Sequence, residues 1–320
     1  MANAPAIATR PSRQRSDTYD SSQRPKRSPE RRRATVGWLF IAPFGVVFVI
    51  FLVAPLGYAL YLSLFSKGLA TGTAFTGIDN YVKAFTDPAF LGGVWFVIRF
   101  ALVLIPVQMA VSLALALVLD AVTSRFARFA RLMIFLPYAI PAVIGALMWG
   151  FLYSPTFGPL QQLFDLFGGT APFPLSPDNV FGGLMNVVTW QWAGYYMIII
   201  YAALQGIDPT LYEAARIDGA SQWQIILRIK IPLLTPALLL ILVFALIGTL
   251  QFFNEPQILQ QLAAGAIPND FTPNMYAYQQ AFSLANYNYG ATISFALGAV
   301  VFVCVYIFLF ATRKRGSFTS

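Results

Sequence analysis

Between Glu213 and Pro232 the chain reads EAARIDGASQWQIILRIKIP, two acids and three bases in a protein that is 58% hydrophobic and only 11% charged. Glu213 and Asp218 offer acceptors to an Arg or Lys of another protein. Ala214, Ala215 and Ala220 keep parts of the surface small enough for close approach. The chemistry on offer is recognition rather than catalysis. There is no histidine in 320 residues, which removes the commonest proton shuttle and metal ligand. The one cysteine, Cys304, lies in an apolar run and reads as a small hydrophobe, not a reactive thiol or a disulfide partner. No catalytic residue and no metal ligand set are expected.

The elements that hold the charged stretch follow from local signals. Asp208 suits a helix N-cap and Pro209 the first helical position. A short helix should run to about Asp218 and stop at Gly219, a residue free to take positive φ. Ser221 with Gln224 forms an S-x-x-Q capping box that starts a second short helix. Trp223, Ile226 and Leu227 would share one face of it, and Pro232 would interrupt before the next apolar segment. Physics alone leaves two readings of this helix–turn–helix: a partner-docking element, or an amphipathic connector lying at a membrane surface.

The membrane is implied by the rest of the chain. Mean hydropathy is +0.64, and a bilayer core takes roughly 20 apolar residues in helix. Six stretches qualify: Gly37–Leu64, Leu91–Leu119, Leu132–Tyr153, Gly183–Leu204, Thr235–Phe253 and Ala291–Thr312. Their unbroken apolar runs predict helices and not a barrel. The expected fold is an all-α integral membrane protein with about six transmembrane helices.

Basic residues set the expected orientation. Nine of them lie before the first span, from Arg10 to Arg33. Arg125, Arg128 and Arg131 follow the second span, Arg216, Arg228 and Lys230 the fourth, and Arg313, Lys314 and Arg315 the sixth. The loops Ser154–Gly182 and Asn254–Gly290 contain no Lys or Arg. Both termini and the charged stretch should therefore face the cytoplasm. Residues 1–35 read as a disordered basic tail, and 36–320 as the membrane domain with a cytoplasmic loop at 208–232. The tail suits a membrane-proximal role better than a nucleic-acid arm or a cleaved signal peptide. The loop SPTFGPLQQLFDLFGGTAPFPLSPDN and its counterpart after Asn254 either dock something outside or simply join helix ends.

EAARIDGASQWQIILRIKIP closely resembles the EAA motif of ABC importer permease subunits: E-A-A, then D-G-A, then I-x-L-P, here with Ile231 in place of the last Leu. FTGIDNYVKAFTDPAF, RLMIFLPYAIPAVIGALMWGFLY and APFGVVFVIFLVAPLGYALYLSLF resemble other parts of permeases of the maltose and glycerol-phosphate type. The resemblance covers roughly 37–312. It implies a type I importer transmembrane domain in the plasma (inner) membrane. Glu213, Ala214, Ala215, Asp218, Gly219, Ala220 and Pro232 would couple it to an ATPase. The implied partners are a second homologous permease, two ATP-binding subunits and an extracytoplasmic solute-binding protein. No cofactor is expected in this chain; ATP and Mg would be bound by the partners, since G-x-x-x-x-G-K-[ST] does not occur.

A sugar presents hydroxyls and flat apolar faces, so its path needs aromatic platforms and amides. TWQWAGYYM and LQFFNE supply both. Tyr195, placed by its distance from the EAA motif where maltose-type permeases contact sugar, leads this set with Gln251 and Asn254. Gln191 and Trp192 complete it. An interfacial aromatic belt would produce the same composition. Glycerol phosphate or another small polar solute is the alternative cargo. A self-sufficient secondary transporter or channel is disfavoured because its intramembrane carboxylates or histidines are missing: Asp120 and Glu255 sit only at expected span ends. Arg99 is the one charge inside a span; it either serves function or snorkels to the interface.

Overall fold

The computed structural model describes residues 29–68, 72–122, 125–169 and 173–312, with the backbone alone for 29–36 and 125–126. Most of the expected basic tail, 1–28, and the terminal cluster Arg313, Lys314 and Arg315 lie outside the described residues. Helix begins at Pro29. The chain divides into two compact units, one up to Gly57 and one from Tyr58 onward. Among the described residues the first unit holds the helix Pro29–Phe48, a π-helical turn, Val49–Val53, and the start of the helix Ala54–Ser63.

Five helices among the described residues are long and apolar enough to cross a membrane: Gly37–Ser63, Pro88–Ala121, Val180–Gln205, Thr235–Leu259 and Tyr287–Thr312. They are the first, second, fourth, fifth and sixth spans of the expected set. The third differs. Ala127–Ala139 and Ala142–Leu152 are two helices bent by 98° at Ile140–Pro141. The residue before a proline is driven out of the α region, so the helix ends at Ala139 and Pro141 caps the next one. The span expected over Leu132–Tyr153 is thus a broken one.

Among the described residues all-α holds apart from one short antiparallel hairpin, Phe65–Gly68 with Gly72–Phe75. It is tied to the second unit's helices by Asn80, whose amide donates to the carbonyls of Ser63 and Phe65 at 3.0 and 2.9 Å.

In the second unit the second and fourth spans form the central pair. Two buried polar groups join them: Gln108 Nε2 donates to the Val188 carbonyl at 3.2 Å and Ser112 Oγ to that of Ala193 at 3.1 Å. Such bonds, with small residues, are what hold helices together where apolar burial gives no net drive. Gly194 shows the small-residue part. A Cβ there would overlap the Ile134 carbonyl, so only glycine lets the bent pair lie against the fourth span.

The segment expected as an outer loop, 254–290, is instead largely folded. Short helices Asn254–Leu259 and Pro273–Tyr278 pack inward, and Leu259, Ile267 and Met275 are fully buried. Asp87, the N-cap of the second span, anchors this region by accepting hydrogen bonds from Tyr276 and Tyr289, both at 2.7 Å. A loop with no Lys or Arg looked like a connector because its apolar residues are scattered rather than periodic.

Candidate functional site

Segment 208–232 folds by the local rules its sequence carries. Asp208 accepts from Thr210 N at 2.9 Å and caps the helix Pro209–Ile217. Hydrogen bonds from the Thr210 backbone and side chain hold the Asp208 carboxyl below its usual range. Gly219 turns the chain at φ +81°, a conformation that costs an L-residue roughly 1–2 kcal/mol. Ser221 and Gln224 make both halves of the capping box ahead of Gln222–Ile225.

Two details depart from the expected pattern. The buried anchor of the second short helix is Ile225, 1% exposed, whereas Trp223 is 72% exposed and Leu227 58%. Pro232 does not interrupt the helix. A π-helical turn over Ile226–Lys230 widens the ladder ahead of it, and the helix is interrupted only at Leu234, a single turn residue before Thr235–Leu250. A widened turn relieves the clash of a proline ring with the preceding turn.

The segment's free face combines charge and apolar surface. Glu213, Ala214, Asp218 and Gly219 are exposed, beside Leu211, Ile217 and Trp223. Asp218, Gly219, Ala220, Gln224, Arg228 and Ile229 line a surface hollow of about 260 Å³. Exposed large apolar side chains around a polar hollow mark a surface that meets a protein or a membrane.

The other face is fixed to the spans by one cluster. Lys230 Nζ meets Asp120 Oδ2 at 2.5 Å, the one ion pair among the described residues, with both side chains about 85% buried. Gln205 Nε2 donates to Asp120 Oδ1 at 2.9 Å. The Lys230 ammonium also lies 4.9 Å from the centre of the Tyr212 ring. Thus Tyr212 of the first short helix, Lys230, and the ends of the second and fourth spans share one charge. Burial, then the nearby Asp120 charge, pushes the Tyr212 hydroxyl's pKa up. Sequence reasoning missed this cluster; Asp120 at a span end was its only visible trace.

At the far end of the helix Thr235–Leu250, about 24 Å from its start by helical rise, the fifth span unwinds at Gln251–Phe253 and restarts at Asn254. Phe252 turns inward and stacks on Phe100, with centroids 5.0 Å apart. The Gln251 carbonyl released by the break is taken by Asn274 Nδ2 at 2.8 Å. Non-helical backbone in a span needs such replacements, and it occurs where it lines a cavity. That cavity measures about 240 Å³. Its polar lining comes from Gln108, Trp192, Tyr196, Thr249, Gln251, Asn254 and Glu255.

Of the five residues expected on a solute path, Trp192, Gln251 and Asn254 line this cavity. The other two lie elsewhere. Tyr195 stacks on Tyr138 of the bent pair at 4.4 Å. Gln191 is buried and donates to the Ile140 carbonyl at 3.3 Å, satisfying the break before Pro141; its Oε1 has no partner. Gln108, Tyr196, Thr249 and Glu255 were not expected. A glutamine in the apolar run IPVQMAV was the available signal. Arg99 is exposed, 5.5 Å from the Trp95 ring, and does not line the cavity.

Apolar helices of spanning length, a broken span around a polar cavity and an exposed helix–turn–helix define a polytopic transport component. A family model described as the binding-protein-dependent transport system inner membrane component matches residues 112–314, and the chain belongs to that family. It is 30% identical over 282 residues to the lactose transport system permease protein of Rhizobium radiobacter, covering 87% of this chain and 94% of that one. The sulfoquinovosyl glycerol transport system permease of Agrobacterium fabrum is 29% identical, over 86% and 90% of the two chains. The sn-glycerol-3-phosphate permease of Salmonella typhimurium is also 29% identical, over 86% and 93%. The fold matches a chain of a bacterial alginate ABC transporter crystallised with its alginate-loaded periplasmic protein. The TM-score is 0.79 at 23% identity, over 90% of this chain and 97% of that one. The architecture is that of a type I ABC importer permease.

Proposed function

We propose that this chain is the permease subunit of an importer that passes a sugar or oligosaccharide inward across the plasma membrane. The observation that carries the proposal is one helix, Thr235–Leu250, with a docking segment pinned to one end and a polar cavity at the other. In this reading separate ATP-binding subunits, which hold ATP and Mg, grip segment 208–232 from the cytoplasm, where both termini also lie. Glu213, Asp218 and Gly219 contact them, and Ala214, Ala215 and Ala220 permit the approach. Pro232, behind the π-turn, closes the segment. Movement enters the spans through Lys230 and Asp120.

Trp192, Gln251 and Asn254 line the solute path. Tyr195 and Gln191, outside the cavity, support it by holding the bent pair. At about 240 Å³ the cavity lies below the usual 300–1,000 Å³ of a ligand site. A second, homologous permease facing it would complete the chamber, and an extracytoplasmic solute-binding protein would load it. The cargoes named for the relatives, lactose among them, support a saccharide.

The test is uptake into proteoliposomes of the complex assembled with its cognate ATPase, second permease and solute-binding protein. The expected result is accumulation of the saccharide that co-purifies with the binding protein, dependent on internal ATP. Uptake that proceeds without ATP, driven by an ion gradient through the purified chain alone, would overturn it.

A further inference from the structure

The cavity contains one feature the importer reading does not use. Glu255 is 6% exposed, lines the cavity, and stands in the first turn of the short helix that follows the break in the fifth span. Among the described residues its carboxyl meets no Lys, no Arg and no hydrogen-bonding side chain; its backbone N–H is its one partner. No Lys or Arg among the described residues lines the cavity. The described arginine inside a span, Arg99, is directed to the outside of the bundle against Trp95. The neighbouring amides of Gln251 and Asn254 are exposed at the same site and have no partners among the described residues.

A buried carboxylate without a counter-charge is expensive, and it is normally paired or matched to a ligand. Two solute chemistries relieve it: an ammonium group, which supplies the missing charge, and a neutral polyol, whose hydroxyls donate to it. An anion does the opposite. It brings negative charge into a space of low dielectric where no Lys or Arg of the described residues receives it.

We infer that the cavity admits uncharged or amino-bearing saccharides and rejects anionic ones, phosphates, sulfonates and uronates alike, with Glu255 as the residue that sets this discrimination. The inference rests on the importer reading and narrows it. Two of the relatives named above are permeases for anionic cargo, a sulfonated sugar and glycerol phosphate, so family membership does not decide the charge class. The lining that this chain contributes, one carboxyl and no Lys or Arg, argues for the uncharged or amino-bearing class.

The permease–ATPase complex in lipid nanodiscs, without its solute-binding protein, leaves selection to the permease. It is equilibrated at pH 7 with neutral disaccharides, glucosamine disaccharides, galacturonate disaccharides and glycerol 3-phosphate, and retained solutes are counted by mass spectrometry. Wild type should retain the anions at least tenfold less than the best neutral or amino sugar. Glu255→Gln should reduce retention of the amino sugar roughly tenfold, the scale of one charge-assisted hydrogen bond. Glu255→Lys should reverse the order in favour of the anions, with assembly checked by size exclusion for both variants. Equal retention of anions and neutral sugars by wild type, or an unchanged order in Glu255→Lys, overturns the role of Glu255 and leaves the importer reading standing. A complex that hydrolyses ATP yet retains no saccharide overturns both.

Discussion

Segment 208–232 and the cavity lining are held by different kinds of interaction. In the segment nearly every determinant is local: Asp208 to Thr210, the positive φ of Gly219, and Ser221 to Gln224. In the cavity the determinants are distant in sequence: Phe252 on Phe100, Gln251 to Asn274, Gln108 to Val188. A local device can be read off a sequence, and it keeps its shape while its surroundings move. A cavity built from distant contacts changes whenever one of its helices shifts. That is a suitable division of labour for a proposed part that docks and a proposed part that opens and closes.

The comparison is sharpened most by Gly219→Val. A β-branched residue at φ +81° is strained whatever the space around it, so the two short helices should change their angle. ATP-dependent uptake should fall at least tenfold while solute retention by the cavity stays intact. Uptake assayed beside solute binding checks this, and wild-type uptake would remove the turn from the docking account.

Lys230→Met should come next. It strips Asp120 of its ion pair in a largely buried place and leaves Gln205 as its one hydrogen-bond partner. The expected cost is about 1–3 kcal/mol of stability, read as a lowered Tm of the purified complex. Lys230→Met combined with Asp120→Asn should recover part of it, because no uncompensated charge then remains. A double variant as unstable as the sum of the singles would contradict the pairing.

Asn274→Ala probes the distant kind of contact. The Gln251 carbonyl loses its donor, at about 1 kcal/mol, and the lip of the cavity loosens. Solute affinity should weaken severalfold with no change in ATPase association, measured by solute binding and co-purification side by side.

The smallest effect concerns Asp87. Burial raises its pKa, but the hydroxyls of Tyr276 and Tyr289 and the N–H groups of Ala89 and Phe90 outweigh it, so the net shift is downward from 3.8. A depressed carboxyl pKa stabilises the fold above the unfolded value, and that contribution is lost as pH falls through the folded one. Tyr276→Phe should bring the acid-induced loss of stability to higher pH. The same bond has an alkaline limb: burial, then the Asp87 hydrogen bond, pushes Tyr276 up to about 12. Its contribution is full below about pH 10 and disappears as pH rises toward 12. Melting curves at graded pH check both limbs.

The legible and illegible parts of the sequence divide along the same line. The spans were visible as apolar runs, and Asp208, Pro209, Gly219, Ser221 and Gln224 carried their own local instructions. Pro141 marked the bent pair, but the apolar run continues across it, and the 98° bend depends on the fourth span offering Gly194 for packing and Gln191 to take the Ile140 carbonyl. Pro256 marks the break near Gln251, since it has no N–H for the Phe252 carbonyl and its ring crowds it; the contacts that shape the break, Phe252 on Phe100 and Gln251 to Asn274, are distant in sequence and were not legible. Tyr195 was placed on the path by its type and its distance from the EAA motif. Only the stacking on Tyr138 reveals which way it faces.

Whether the helix Thr235–Leu250 separates a docking end from a solute end is decided by measuring ATP hydrolysis and solute retention in the same nanodisc preparation of the complex, for Glu213→Lys and for Asn254→Ala. The account predicts a crossed result. Glu213→Lys loses solute-stimulated hydrolysis and keeps solute retention, whereas Asn254→Ala loses retention and keeps basal hydrolysis. Both variants losing the same activity, or neither losing any, would contradict it.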